Sequence, residues 1–177
     1  MSTLSTSISR PAPAEYDPYY ERYISLVSTD DIVATLQNQI QDTRTLLRSL
    51  PEQQGDFRYA PGKWSVKEVL GHMSDTERIM SYRAMRIARG DKTPIEGFEQ
   101  DDYVPNGKFG RRTIADLLDE FAIIRNATVH LFRNLDTEAS ERSGTANNKE
   151  ITARALAFLI AGHELHHRRV MKEKYLK

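Results

Sequence analysis

An all-α four-helix bundle is the fold class this sequence predicts, on three observations. Four segments carry apolar residues at the spacing of an amphipathic helix, no segment shows the alternation of a half-buried strand, and no internal repeat divides the 177 residues. Four amphipathic helices of about 20–25 residues bury their stripes against one another most simply as a bundle.

The first helix is expected over Asp31 to Leu50, with Ile32, Val33, Leu36, Ile40, Leu47 and Leu50 on one stripe. The second opens at Trp64. Ser65 as N-cap with Glu68 three residues on forms a capping box, and Trp64 is placed to staple onto Val69 across it. Its stripe is Val66, Val69, Leu70, Met73, Met80, Ala84 and Ile87, and Gly90 is the expected stop. The third is capped by Thr113 and runs through Ile114, Leu117, Leu118, Phe121, Ile124, Leu131 and Phe132 to Leu135. The fourth starts between Asn147 and Thr152 and continues through Leu156, Leu159, His163 and Val170 towards the C-terminus. The connections are uneven: the one from Asp91 to Arg112 is long, carries Gly97, Gly107 and Gly110, and is a candidate lid over one end of the bundle. Residues 1–18, punctuated by Pro11, Pro13 and Pro18, are expected to form a flexible arm, and residues 19–177 a single domain. Tyr16, Tyr19, Tyr20 and Tyr23 then cluster, as expected of aromatics that cover one end of the fold.

Composition narrows the function. Hydrophobic residues make up 39% and charged residues 28%, an ordinary globular mixture. Twenty-five basic against twenty-five acidic residues give a formal net charge of zero, which argues against a dedicated nucleic-acid binder. The longest apolar run, Ala155 to Ala161, is far short of the roughly 20 residues a membrane span needs, and the first residues lack the apolar centre of a signal peptide. A cytoplasmic protein without nucleic-acid or membrane partners is the expectation. There is no cysteine, so thiol nucleophiles and zinc knuckles are excluded and any metal must be held by His, Asp or Glu.

Five histidines carry the chemical signal: His72, His130, His163, His166 and His167. At about 100° per residue, His130 points away from Phe121 and out to solvent. His163 falls at the centre of its apolar stripe, and His167, one turn on, shares that face. Imidazoles at i and i+4 converge on one metal ion, and a buried imidazole without a partner is costly. A third ligand has to come from another helix. His72, at the edge of the second stripe beside Thr76 and Ile79, is the remaining histidine in reach; Asp75 and Glu77 are alternatives whose neighbourhood reads as solvated surface. Arg125 lies within the third stripe, where a charge should be paired or stand at a cavity mouth. Glu164 reads as a solvated partner of Arg168 one turn on. The letters His163-Glu164-Leu165-His166-His167 fit the H-E-x-x-H pattern of zinc proteases, but the bundle context and a third histidine upstream argue against that class.

The stretch Tyr59-Ala60-Pro61-Gly62-Lys63-Trp64-Ser65-Val66-Lys67-Glu68-Val69-Leu70-Gly71-His72-Met73 resembles the entry to the second helix of the DinB-like (YfiT-like) superfamily. Ala161-Gly162-His163-Glu164-Leu165-His166-His167 resembles that superfamily's fourth-helix motif, and the match extends through Asp75-Thr76-Glu77 and Tyr82-Arg83 to Ala88-Arg89-Gly90-Asp91. The resemblance implies an up-down-down-up four-helix bundle, usually dimeric, with a divalent metal such as zinc, nickel or manganese held by three histidines. Matched residue by residue, the ligands are His72, His163 and His167, with His166 a non-liganding position. It further implies a metal-dependent hydrolase, or a transferase or isomerase that uses a low-molecular-weight thiol, acting on a small molecule. The alternative is a non-catalytic, dimer-forming, metal-binding stress protein.

Overall fold

The computed structural model describes residues 8–176. Four long helices form the body: α2 (Ile32–Leu47), α3 (Val66–Ala88), α5 (Ile114–Arg133) and α7 (Ala153–Val170), with short α1 (Glu21–Ile24), α4 (Gln100–Gly107) and α6 (Thr137–Glu141) in the connections. Each long helix starts where a side-chain oxygen caps it. Asp31 accepts from the Ala34 amide, Thr113 from that of Asp116 and Thr152 from that of Ala155, while Ser65 and Glu68 form the expected reciprocal box. Gly90 ends α3 in the left-handed region, at φ 81°, which a side chain would resist.

The direction of each helix follows from two buried clusters at opposite ends of the bundle. The first holds Leu36, Met80, Ala84, Ile87, Val129, Phe132 and the start of α7; the second holds Ile40, Leu47, Val69, Leu70, Met73, Ile114, Leu117, Phe121 and Met171. Helices α2 and α7 run from the first cluster to the second, and α3 and α5 run back, so the order is up-down-down-up. Adjacent α3 and α5 are therefore parallel, and α3, with 23 residues, is about 34 Å long at 1.5 Å per residue. The chain has to travel that length again before α5 can start, which is the physical reason for the long connection.

That connection is more ordered than its glycines suggest. It contains α4 and a turn of 3-10 helix at Phe109–Arg111, and Phe109 packs so close to Gly71 that a Cβ there would lie 2.3 Å from the ring. Between α6 and α7 the chain forms a hairpin, β1 (Ser143–Ala146) with β2 (Lys149–Thr152), pairing Ser143 with Thr152 and Ala146 with Lys149. This departs from the strand-free reading. The turn residues Asn147 and Asn148 both adopt positive φ, as a two-residue hairpin requires, and Ile95 adds a bridge to Ala146.

The expected flexible arm is also different. Residues 1–7 lie outside the described residues, but from Ile8 to Pro18 the chain is packed: Ile8 is buried in the first cluster, and Glu15 takes Arg154 between its two oxygens at 2.6 and 2.7 Å. Burying an apolar anchor and pairing a carboxylate outweigh the prolines that interrupt regular structure here. Among the described residues no helix is long and apolar enough to cross a membrane.

A candidate metal centre

His72 lies on α3, and His163 and His167 one turn apart on α7. The packing of these two helices brings all three rings to one point. His163 Nε2 stands 3.1 Å from His72 Nε2 and 3.0 Å from His167 Nε2, and ring centroids are 4.4–5.0 Å apart. His72 is buried and the other two are half-buried. Trp64 covers His72, with ring centroids 4.7 Å apart, and the Thr76 hydroxyl lies 3.4 Å from His72 Nδ1, positioned to accept the proton there and leave Nε2 as a lone pair.

Each ligand helix makes room with a glycine placed just before its histidine. Gly71 admits Phe109, and a Cβ at Gly162 would lie 2.1 Å from the Tyr23 carbonyl oxygen, so α1 rests directly on α7. Tyr23 thereby reaches both His163 and His166, edge to face, at 5.6 and 5.4 Å. His166 is half-buried and packs edge to face on His167 at 5.1 Å without belonging to the three whose nitrogens converge, and His130 is exposed on α5.

The donor set fits a cation. A ring nitrogen carries either one hydrogen or one lone pair, so His163 Nε2 cannot satisfy two neighbouring nitrogens at once. Without an ion the two close contacts have to share one hydrogen or one lone pair, so at most one of them is a well-directed hydrogen bond. Three imidazole nitrogens at about 2.0–2.1 Å from a tetrahedral ion stand about 3.3 Å apart, close to the spacing found. Burial, with a smaller push from His166, takes the His72 ring down to about 4. Burial and the neighbouring rings hold His163 and His167 well below the usual histidine range. All three are neutral at pH 7, as metal ligation requires.

Behind the cluster lies a buried ionic hub. Arg125 on α5 is fully enclosed; it donates to both oxygens of Glu77 on α3 at 2.8 Å and to the Leu36 carbonyl of α2 at 3.0 Å, and forms an ion pair with Glu164 on α7 at 2.6 Å. Thr43 of α2 donates to Glu164 as well. Two sequence-based expectations are corrected. Glu77 is not solvated surface, and Glu164 is not the partner of Arg168, which pairs instead with Asp42 at 3.2 Å. The flank of α7 that carries Glu164 faces α2, where the Arg125 guanidinium fills the gap. Since Glu77 follows His72 by five residues and Glu164 follows His163 by one, the hub sets the two ligand helices against each other.

A cavity of about 200 Å³ opens beside His72 and His163 and runs along α3 past Thr76 and Met80 to Arg83. Tyr19, Tyr20 and Tyr23 form one wall, and Phe98, Glu99 and Gln100 of the long connection form another. The sequence presents the long connection as a candidate lid at the metal mouth and the tyrosines as a cover for one end of the fold; that both line one and the same cavity is not legible in it.

Fold and cluster together define a helical-bundle protein with a three-histidine candidate metal centre. The sequence profile of the DinB superfamily matches residues 35–171, and the chain belongs to that superfamily. It is 25% identical over 154 residues to a Bacillus cereus (strain B4264) protein named "Putative metal-dependent hydrolase", covering 84% of this chain and 86% of that one. An Oceanobacillus iheyensis protein with the same description is 24% identical over 139 residues, 76% of each chain. Among solved structures, YfiT from Bacillus subtilis superposes with a TM-score of 0.76 at 17% identity, over 97% of this chain and 95% of that one; it is described as "a probable metal-dependent hydrolase with an unusual four-helix bundle topology". A mycothiol-dependent maleylpyruvate isomerase superposes with a TM-score of 0.66 at 10% identity, over 82% of this chain and 61% of its own. These two likenesses establish the fold.

Proposed function

We propose that this chain is a metal-dependent enzyme acting on a small molecule, with a divalent cation, zinc, nickel or manganese, held by His72, His163 and His167. The observation that carries the reading is the meeting of three neutral Nε2 atoms at one point. Structural zinc sites are closed by four protein ligands, whereas catalytic ones use three and keep a position open. The cavity beside His72 and His163 gives that position an approach for substrate. A cation bound there supplies Lewis acidity, which activates a water for hydrolysis or a low-molecular-weight thiol for S-transfer near neutral pH. The names of the curated relatives support hydrolysis, and the thiol-dependent isomerase that shares the fold supports thiol chemistry.

The chain's own groups bind and orient. Thr76 holds the Nδ1 proton of His72, and Trp64 shields that ring from water. Tyr23, pushed up to about 12 by burial and by Tyr19, stays a neutral phenol and a hydrogen-bond donor at the cavity wall. Glu77 and Glu164 are committed to Arg125, which removes both from the role of general base. The reading includes a homodimer, supported by Ile123, an isoleucine 71% exposed on α5. Light scattering that gives a monomer at high micromolar concentration contradicts this part.

The test is a panel of thiol-transfer, esterase and amidase substrates assayed before and after chelation and re-addition of zinc, nickel or manganese. Turnover that disappears with the metal and returns with it is expected, with little loss of helicity in between. Metal uptake without turnover of any substrate, joined to collapse of the fold on chelation, overturns the enzymatic reading in favour of a structural ion.

A further inference from the structure

Arg83 is the second buried guanidinium of the molecule, and its surroundings are unlike those of Arg125. It is 2% exposed and lines the cavity. Its Nη2 donates to the Glu96 carbonyl at 2.8 Å and its Nη1 lies 3.7 Å from Met80 Sδ, but its buried Nε–H has no acceptor. No carboxylate of the described residues pairs with it. The two buried carboxylates nearest in the lining are unavailable: Glu77 and Glu164 are both held by Arg125. Glu77, six residues before Arg83 on α3, is also about 9 Å away in rise and about 120° away in direction. Glu99, at the mouth, is exposed and caps α4 through the Asp101 amide. Across the cavity stand the phenols of Tyr19, Tyr20 and Tyr23. A buried charge served by one carbonyl, a sulfur and the face of the Phe98 ring 5.8 Å away, with no carboxylate, is costly unless an anion completes it.

The position of this charge relative to the histidines is equally specific. Arg83 follows His72 by eleven residues, which is three turns of α3 and a turn of only about 20° about its axis, so both belong to one face. Side chains on a helix tilt towards its N-terminus, which inclines Arg83 along the cavity in the direction of His72. Between them the lining is mainly apolar and aromatic, with Tyr23, Met80, Phe98, Leu159 and Ile160.

We propose that Arg83 binds the carboxylate of the substrate, and that the substrate is an elongated organic acid with an apolar or aromatic middle whose other end lies at the three histidines. Arg83 is then a binding and orienting residue: its free Nε–H donates to the acid, and the fixed distance along α3 selects which bond is presented to the histidine end. This deepens the proposed enzymatic reading and rests on it only for what happens at the far end. The carboxylate subsite itself exists with or without a metal.

Calorimetric binding of phenylpropionate and phenylbutyrate, each compared with its primary amide and with inorganic phosphate, tests this on zinc-loaded and on chelator-treated protein. The acids are expected to bind at least tenfold more tightly than the amides in both preparations. Arg83→Met should abolish that preference and Arg83→Lys should keep part of it. The comparison of acid with amide in the unaltered chain stands even if a variant fails to fold. Equal binding of acid and amide, no binding of any acid at millimolar concentration, or a preference that survives Arg83→Met overturns the proposal. Tighter binding of phosphate than of either acid overturns the carboxylate assignment. An acid preference in protein that takes up no zinc keeps this subsite and removes the metal reading, whereas zinc uptake without an acid preference does the reverse.

Discussion

Arg125 is the largest side chain of the molecule with no exposed surface, and all four bundle helices meet on it. Removing it leaves Glu77 and Glu164 buried without a countercharge, and loss of one partner from a buried pair costs about 3–5 kcal/mol. Arg125→Met should therefore lower the unfolding free energy by about 3–5 kcal/mol in a urea titration, and Arg125→Lys, which keeps the charge but loses the forked contacts, should fall between. A methionine variant as stable as the unaltered chain would show that the hub is not what holds the helices in place. The charge inside the α5 stripe was legible from the sequence, as was the inward face shared by His163 and His167. The partners of Arg125 were not, because a helical wheel shows where Glu77 and Glu164 point relative to their own stripe and not which neighbouring helix fills that direction.

At the scale of elements, the close contact of α1 with α7 depends on Gly162. Alanine there gains about 1 kcal/mol of helix propensity, but its Cβ would meet the Tyr23 carbonyl, a backbone atom that cannot swing aside. Overpacking of this kind costs about 1–3 kcal/mol, so Gly162→Ala should lower the melting temperature and displace Tyr23 from the cavity, measurable as altered quenching of tyrosine fluorescence on ligand binding. An unchanged melting temperature would mean that α1 is not seated as described. The N-terminal segment is fixed by a different device. Burial raises the Glu15 carboxyl, but hydrogen bonds from Arg154, the Ala12 amide and Thr152 outweigh it and hold it below the usual value of 4.5. A lowered carboxylate contributes stability above its unfolded value and loses it as pH falls through the folded one. Amide exchange in residues 8–16 should accelerate below pH 4.5 ahead of the bundle helices, and Glu15→Gln should remove that pH dependence. The long helices and their caps were legible because a period of 3.6 repeats over several turns. The hairpin was not: its four-residue strands contain Ser, Gly, Lys and Glu, and its turn depends on two asparagines at positive φ, which no periodicity reveals.

The whole molecule is arranged so that two parallel neighbours, α3 and α5, force a long return passage, and that passage supplies Phe98, Glu99 and Gln100 to the cavity wall. One end of the cavity is the three-histidine cluster, and the central claim is that these three nitrogens and no other histidine hold a metal. Elemental analysis of metal per chain, on the unaltered protein and on five single alanine variants, tests it most directly. The account predicts near one divalent ion per chain for the unaltered protein and for the His166→Ala and His130→Ala variants. For His72→Ala, His163→Ala and His167→Ala it predicts metal-poor protein that remains helical by circular dichroism, with affinity reduced by well over the 10–100-fold of an outer-shell change. Metal lost from the His166 variant while the His167 variant keeps it, or an unaltered protein that takes up none of zinc, nickel or manganese, would contradict it.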